Sequence, residues 1–236
     1  MHLLKRLEPF AKGGNRLCFI HPLDSSKCIK VRRPDFTLED RRKKKGFPKN
    51  LKPLSSFDDN LAEYRIMSDI DRRLGPSVYH YISRCYGFED TDMGKGLVSE
   101  LILDASHYVS HTLKQYIWDN GYTDECRRAV DEFCAGWEAL RIPSHDLLLH
   151  NIVVNVGDSG EIKRLVMIDG LGKSAWFSES LTFDRILQKR YRKKTDKLRA
   201  HIDELLVLRA EGGQFPGYHG QLLKEDLIIS PSDGEE

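Results

Sequence analysis

The chain has 236 residues, of which 40% are hydrophobic and 31% are charged, and its formal net charge is +1. This length suffices for one large or two small domains, and the composition excludes a disordered or fibrous protein. No apolar run approaches the roughly 20 residues of a membrane span, and the first residues lack the apolar segment of a signal peptide. The five cysteines form no CxxC motif, which favours buried thiols in a reducing cytoplasm.

The near-zero net charge conceals two basic segments. Residues 27–52 contain eleven lysines and arginines against three acidic residues, and residues 185–199 contain eight against one. The rest of the chain is therefore acidic. The run Arg41–Lys45 and the segment 185–199 predict an anionic partner such as phosphate, nucleic acid or lipid. A solvated loop and a solvated helix face are the alternative interpretation.

The first hundred residues predict a small antiparallel sheet. Short apolar runs separated by turn residues are typical of strands, and the connections between the first three are too short for parallel pairing. The predicted strands are Leu7–Phe10, Arg16–His21, Lys27–Arg32, Val78–Gly87 and Gly96–Leu103. A polar loop follows the third strand, and a helix is expected over Phe57–Leu74, ended by Gly75-Pro76.

After Asp104 the sequence becomes mainly helical. The elements expected there are helices at Thr112–Asp119, Asp124–Leu140 and Phe183–Ala210, and a hairpin of strands Ile152–Val156 and Arg164–Ile168. We therefore expect a β-rich domain over residues 1–103 and a helical domain over residues 104–229. Residues 230–236 have the composition of a disordered tail.

Two charged residues of the first half suggest chemistry. Lys30 lies inside the apolar strand Lys27–Arg32, where an unpaired buried charge is not tolerated. It either extends to solvent at the sheet edge or faces a polar cleft that holds an anion. Alternation places Cys28 and Lys30 on one face of the strand. Glu63 borders the apolar stripe of the first helix, from which it either reaches a lysine on the sheet or faces solvent.

Two polar segments of the second half suggest a metal-assisted proton transfer. Asp146 and Asn151 lie on one loop between a helix and a strand, and Asp169 ends an apolar strand just before Gly170. An aspartate can accept a proton from a hydroxyl, while amide and carboxylate oxygens are ligands for hard cations. An ordinary helix-to-strand turn and an ordinary Asp-Gly turn are the alternatives.

The order of these features resembles the protein-kinase-like superfamily over residues 7–175. The segment Ser144–Asn151, taken with Ile168–Gly172, is most similar to the YrbL family of PhoP regulatory network proteins. It is closer to the aminoglycoside phosphotransferases than to eukaryotic protein kinases. The resemblance implies an α+β, bilobal kinase-like fold: an N-terminal antiparallel five-stranded sheet with one helix, and a mainly helical C-terminal lobe with a β-hairpin.

The resemblance also implies a role for each candidate site residue. Those expected to bind ATP are Gly13, Gly14 and Asn15 over the phosphates, Lys30 held by Glu63 on the phosphates, and Cys28, Glu100 and Ile102 around the adenine. Asp146 would orient and deprotonate the acceptor hydroxyl, with Asn151 beside it. Asn151 and Asp169 would hold Mg²⁺.

The expected function is transfer of the ATP γ-phosphate to a hydroxyl of a small-molecule or envelope-related acceptor. The glycine turn is shorter than the usual kinase loop, and no Ala-Pro-Glu motif follows Gly172. The absence of that motif argues against protein substrates bound in the usual groove. Two alternatives to a phosphotransferase stay open. One is a kinase-like regulatory protein that binds a nucleotide or a partner without transferring phosphate. The other is a protein that binds anionic polymers or membrane surfaces through its basic segments.

Overall fold

The computed structural model describes residues 1–172, 184–217, 219 and 222–223. Contacts between residues divide the chain into two compact units. The described part of the first unit comprises residues 1–69, 84–101 and 222–223, and that of the second comprises residues 70–83, 102–172, 184–217 and 219. The predicted tail at residues 230–236 lies outside the described residues.

The first unit contains a five-stranded antiparallel sheet, as predicted. Its strands follow the order β1-β2-β3-β5-β4. Their bounds are Ala11–Lys12 (β1), Arg16–Ile20 (β2), Lys27–Arg32 (β3), Cys85–Thr91 (β4) and Gly94–Glu100 (β5). Ile29 and Val31 of β3 pack with Leu4, Phe19 and Val98, so this face of the sheet forms the core of the first unit.

Five α-helices and a second sheet complete the described chain. The helices are Leu38–Lys45 (α1), Asp59–Leu74 (α2), Leu113–Asn120 (α3), Asp124–Leu140 (α4) and Asp184–Ala210 (α5). The second sheet is the predicted hairpin, formed by Ile152–Val156 (β6) and Ile162–Met167 (β7). Thr112 and Thr123 cap α3 and α4 through their side chains, which fixes where these two helices begin.

The helix α4 forms the centre of the second unit. Its buried residues recur at the spacing of one helix face, and they are Cys126, Val130, Phe133, Cys134 and Trp137. The Phe133 and Trp137 rings lie 5.1 Å apart, and the Tyr81 ring meets Phe133 edge-on at 6.2 Å. Gly136 allows the Tyr81 ring to pack closely on α4, because a Cβ at position 136 would lie 2.1 Å from that ring.

Three predictions of local structure are wrong. Leu7–Phe10 is not a strand: a 3-10 helix occupies Leu4–Arg6, and the short β1 begins only after Pro9, which has no N–H to donate. A 3-10 helix over Pro76–His80 replaces the start of the predicted fourth strand. The polar loop after β3 contains the helix α1, so the N-terminal region holds two α-helices rather than one.

The helix α1 forms without burying any residue. Thr37 accepts a hydrogen bond from the Asp40 N–H, and the Asp40 carboxylate accepts one from the Thr37 N–H, which completes a capping box. Basic residues fill its last turn, where their positive charges interact favourably with the negative end of the helix dipole. The interpretation as a loop overlooked these local signals because the segment lacks an apolar stripe.

In the described part of the chain, no helix combines the length and the apolarity that crossing a membrane requires.

Candidate active site

Lys30 and Glu63 form a buried ion pair in the first unit. The Lys30 Nζ lies 2.8 Å from the Glu63 Oε1, and their side chains are 7% and 8% exposed. The pair joins the middle of β3 to the second turn of α2. Lys30 is therefore a buried lysine with a carboxylate partner, not one that extends to solvent at a sheet edge.

Arg16 shares the Glu63 carboxylate with Lys30, a contact that the sequence analysis did not foresee. Its Nη1 donates to the Glu63 Oε2, and also to the Asn60 Oδ1 at 3.2 Å. The Asn60 amide in turn donates to the Lys30 carbonyl at 2.8 Å. Two cations thus face one carboxylate. The ammonium of Lys30 retains positive charge that Glu63 alone does not neutralise.

The only signal in the sequence for this role of Arg16 is its position. It follows the Gly13-Gly14-Asn15 turn directly and begins β2, where its neighbour in the sheet is Arg32 of β3. An arginine at the start of an edge-proximal strand is normally interpreted as solvated. Only the packing of α2 on the sheet shows that it is 11% exposed and paired.

Gly13, Gly14 and Asn15 form the turn between β1 and β2. The Gly13 N–H donates to the Arg16 carbonyl at 2.9 Å, and the Arg33 N–H donates to the Asn15 carbonyl at 3.0 Å. A Cβ on Gly14 would meet nothing within 4 Å. The turn thus leaves open space above Gly14. Gly14 is exposed, and the binding of phosphates at this turn stays a prediction.

The residues predicted around the adenine lie at the end of the sheet and just beyond it. Cys28 is buried opposite Ser99, and burial raises the pKa of its thiol to about 12. The Glu100 N–H donates to the Arg84 carbonyl, and the Leu101 N–H donates to the Ser26 carbonyl. Ile102 begins the part of the second unit that follows, and its carbonyl accepts from the Ser110 N–H. Their role in adenine binding stays a prediction.

Asp146, Asn151 and Asp169 belong to two segments of the second unit that backbone hydrogen bonds hold side by side. The donors and acceptors are Ile168 N–H to Asn151 O at 2.8 Å, His145 N–H to Gly170 O at 3.0 Å, and Gly172 N–H to Pro143 O at 3.2 Å. The His145 ring packs on Gly172, where a Cβ would lie 2.4 Å from it. The loop that carries Asp146 and Asn151 is therefore hydrogen-bonded to the segment that carries Asp169, which lies 18 residues further along the chain.

Asn151 and Asp169 both lie beside the Gly170 turn, and their role as metal ligands stays a prediction. Gly170 has a φ of +87°, and a Cβ there would lie 2.9 Å from the Asn151 Nδ2, so the turn brings the amide against the segment that carries Asp169. The Asp169 Oδ1 accepts from the Gly170 N–H at 2.6 Å, which orients the carboxylate. The Asn151 side chain makes no hydrogen bond within the described residues. Amide and carboxylate oxygens are the ligands that Mg²⁺ prefers.

Asp146 points its carboxylate toward α5. Its Oδ1 lies 3.2 Å from the Lys197 Nζ, and both side chains are about half exposed, at 51% each. An exposed pair of this kind contributes little to stability, so Asp146 stays available to solvent and to a ligand. Lys197 belongs to the basic segment 185–199, whose charge pattern does not predict this contact.

Part of the basic segment 185–199 is used within the protein. Besides Lys197, Arg199 contacts Asp131 at 2.9 Å, and Lys194 donates to the Ser144 carbonyl. In the other basic segment Arg41 pairs with Asp59, while residues 42–45 are exposed. The anionic partner of these segments stays a prediction.

A family model supplies the identification. The model described as "PhoP regulatory network protein YrbL" matches residues 3–203, which is most of the chain. The chain belongs to this family. A comparison with curated proteins finds no match.

Solved structures show the fold of this YrbL family member. The chain is similar to the protein titled "Crystal structure of Rad53 1-466 in complex with AMP-PNP", with a TM-score of 0.50 and 14% identity. The alignment covers 87% of this chain and 51% of that chain, so this chain spans about half the length of that protein. The kinase-like fold predicted from the order of motifs is confirmed.

Proposed function

We propose that this protein is a kinase-like phosphotransferase that moves the γ-phosphate of ATP to a hydroxyl group. The observation that carries the proposal is the buried Lys30–Glu63 pair in a kinase-like fold. Burying an ion pair costs desolvation free energy, and a hydrophobic pair of similar volume is often at least as stable. Packing alone therefore does not explain why the pair is buried. Binding of an anionic ligand such as a phosphate does, because that ligand needs a cation held in a fixed position.

The proposed chemistry divides between the two units. In the first, Lys30 binds the phosphates, and Glu63, which also accepts from Arg16, fixes its position. In the second, Asp146 orients the acceptor hydroxyl and takes its proton. Phosphoryl transfer needs mainly positioning and charge neutralisation, so residues of these types are sufficient.

The metal site would consist of Asn151 and Asp169, whose oxygens suit Mg²⁺. When bound, Mg²⁺ supplies neutralisation of the phosphate charge. The protein's own contribution is to hold the two segments that carry these side chains side by side, through the Ile168 N–H to Asn151 O bond and the Gly170 turn.

ATP turnover with water as the acceptor tests the function without knowledge of the natural acceptor. We expect slow turnover by the wild type and a loss of about 100-fold or more in Asp146→Asn, the usual range for removing a general base. Asp158→Asn, in the exposed turn between β6 and β7, is the matched control and should keep full turnover.

Equal turnover by the wild type and Asp146→Asn would contradict the proposal. A wild type that binds ATP but never turns it over would instead favour the alternative, a regulatory protein that binds nucleotide. Lys30→Met tests the nucleotide site itself. It should weaken ATP binding whether or not the protein transfers phosphate, so unchanged ATP binding would show that Lys30 is not part of that site.

A further inference from the structure

A cavity in the second unit lies against the loop that carries Asp146 and Asn151. It has a volume of about 310 Å³, at the lower end of the range for small-molecule sites. Leu148, Leu149 and His150 of the loop form one wall. The opposite wall comes from α5 and the chain that follows it.

Most of the cavity surface is apolar. Besides the two leucines of the loop, Leu205, Leu208 and Pro216 contribute to its walls. Such a lining favours an alkyl chain or a ring over a sugar or another polyhydroxylated molecule, because polar groups would lose hydration without gaining partners.

One buried cation interrupts this apolar surface. Lys114 of α3 is 8% exposed and lines the cavity. Its Nζ donates to the carbonyls of Pro216 and His219, the latter at 3.0 Å, and lies 4.2 Å from the centre of the Phe215 ring. An ammonium has three N–H groups, so one remains after these two hydrogen bonds when only the described residues are counted.

No carboxylate neutralises Lys114 within the described residues. The acidic residue at the cavity, Glu204, is exposed and accepts from His201 at 3.2 Å. His150 is half-buried, and its ring stacks on that of His219 at 5.4 Å, so it adds a polar edge to the cavity wall. A buried cation facing an apolar cavity attracts an anionic group.

The cavity is close to the candidate catalytic residue along α5. Lys197, which contacts Asp146, precedes His201 by four residues, and His201 lines the cavity. Four residues are about 6 Å of helix, or one turn. Leu205 and Leu208 continue the same face of the helix.

We propose that this cavity binds the acceptor, and that the acceptor is an amphipathic molecule with an apolar body and one anionic group held by Lys114. The inference rests on the proposed function, since it identifies the bound molecule as the one that receives phosphate. In the reaction, the acceptor O–H gives its proton to Asp146 while its oxygen bonds to the γ-phosphorus. The bond from that phosphorus to the bridging oxygen breaks and releases ADP.

Binding is tested first, without nucleotide, by calorimetric titration with four probes of equal chain length: octanoate, octyl phosphate, octanol and octylammonium. We expect both anions to bind at least about tenfold more tightly than octanol, and octylammonium to bind most weakly. The ratio of the affinities for octanoate and octyl phosphate shows whether the site prefers a carboxylate or a phosphate.

Two variants assign this binding to the cavity. Lys114→Gln should remove the preference for anions, while Lys163→Gln, at an exposed lysine of β7, should keep it. Leu208→Trp fills the cavity with Lys114 in place and should abolish binding of the two anions and of octanol. Thermal melts followed by circular dichroism show whether each variant is folded. Equal affinity for all four probes, or an unchanged preference in folded Lys114→Gln, would overturn the site.

Transfer is tested second, with ω-hydroxyoctanoate, ATP and Mg²⁺, by mass spectrometry of the product. The wild type should form the phosphate ester, Leu208→Trp should not, and Asp146→Asn should bind octanoate normally without transfer. ATP turnover without ester formation, in a protein that binds octanoate, would overturn the acceptor role. Anion binding with no ATP turnover at all would instead contradict the proposed function and leave the anion site standing.

Discussion

At the scale of single residues, the Glu63 carboxylate organises the first unit. Its two oxygens accept from Lys30 and Arg16, while Asn60 connects Arg16 to the backbone of Lys30. The prediction that Glu63 reaches a lysine on the sheet follows from its place beside the apolar stripe of α2. Arg16 was missed because nothing in its sequence context separates a buried arginine from a solvated one.

Replacing Glu63 by Gln leaves two buried cations facing a neutral amide. We expect a loss of about 3 kcal/mol in the free energy of unfolding, typical of breaking a buried ion pair on one side. ATP affinity should fall as well, because Lys30 loses its fixed position. Urea denaturation and calorimetry measure the two effects. Glu39→Gln, at an exposed position of α1, is the control, and equal stability of the two variants would contradict the pairing.

Arg16 is expected to act as a positioning residue. Arg16→Gln keeps the hydrogen bond to Asn60 available but removes the second cation from Glu63. If Arg16 keeps Glu63 from neutralising Lys30, the variant should bind both ADP and ATP more weakly than the wild type. The loss of affinity should be larger for ATP than for ADP. A merely structural role would lower stability without changing the ratio of the two affinities.

A pH dependence of stability follows from the cluster of His2, His21 and Glu89. Hydrogen bonds from His21 at 3.0 Å and from His2 hold the pKa of the Glu89 carboxyl below its usual value. A lowered pKa stabilises the fold above the pKa of the unfolded chain, and the contribution is lost as the pH falls through the folded value.

Glu89→Gln should therefore cost about 0.5 kcal/mol at pH 7, a small figure because the Glu89 side chain is 41% exposed. The cost should shrink as the pH falls below the usual pKa of a glutamate, because the wild-type carboxyl is protonated once the pH passes its lowered pKa. Urea denaturation at a series of pH values measures it. A cost that does not change with pH would show that the carboxylate charge is not involved, and Asp90→Asn on the same strand serves as the control.

At the scale of elements, those that are stabilised by nearby residues could be predicted from the sequence, whereas those that depend on distant partners could not. The helix α4 could be predicted from its sequence because its cap at Thr123 and its apolar stripe act together. The segment Leu7–Phe10 contains Pro9 and is not a strand, although the Phe10 N–H donates to the Cys18 carbonyl of β2 at 2.9 Å. The bounds of the strands depend on partners elsewhere in the chain, such as the pairing of β3 with β5, which no local pattern encodes.

The contact of α4 with Tyr81 gives a test at this scale. Gly136→Ala should destabilise the protein by about 1–3 kcal/mol, because the added methyl group overlaps the Tyr81 ring. Helix propensity alone predicts the opposite sign, a gain of about 1 kcal/mol. Ala135→Gly, at the exposed neighbouring position, reports that propensity in the same helix. Thermal denaturation of both variants distinguishes the effects, and a stabilised Gly136→Ala would contradict the packing.

At the scale of the whole molecule, the kinase-like fold could be predicted because the chemistry-bearing residues occur in a recognisable order. Lys30, Glu63, the Asp146–Asn151 loop and Asp169 carry that information. The domain boundary at residue 103 stays a prediction. The cavity beside His150 could not be predicted, since Lys114, the loop and Leu208 come from three segments that only tertiary packing unites.

The most direct test of the central claim is the Mg²⁺ dependence of ATP affinity, measured by calorimetry on the wild type, Asp169→Ala and Lys30→Met. We expect Mg²⁺ to tighten binding to the wild type, Asp169→Ala to lose only this Mg²⁺-dependent part, and Lys30→Met to lose affinity with or without the metal. Wild-type protein that binds no ATP, or Mg²⁺ dependence that persists unchanged in Asp169→Ala, would contradict the account.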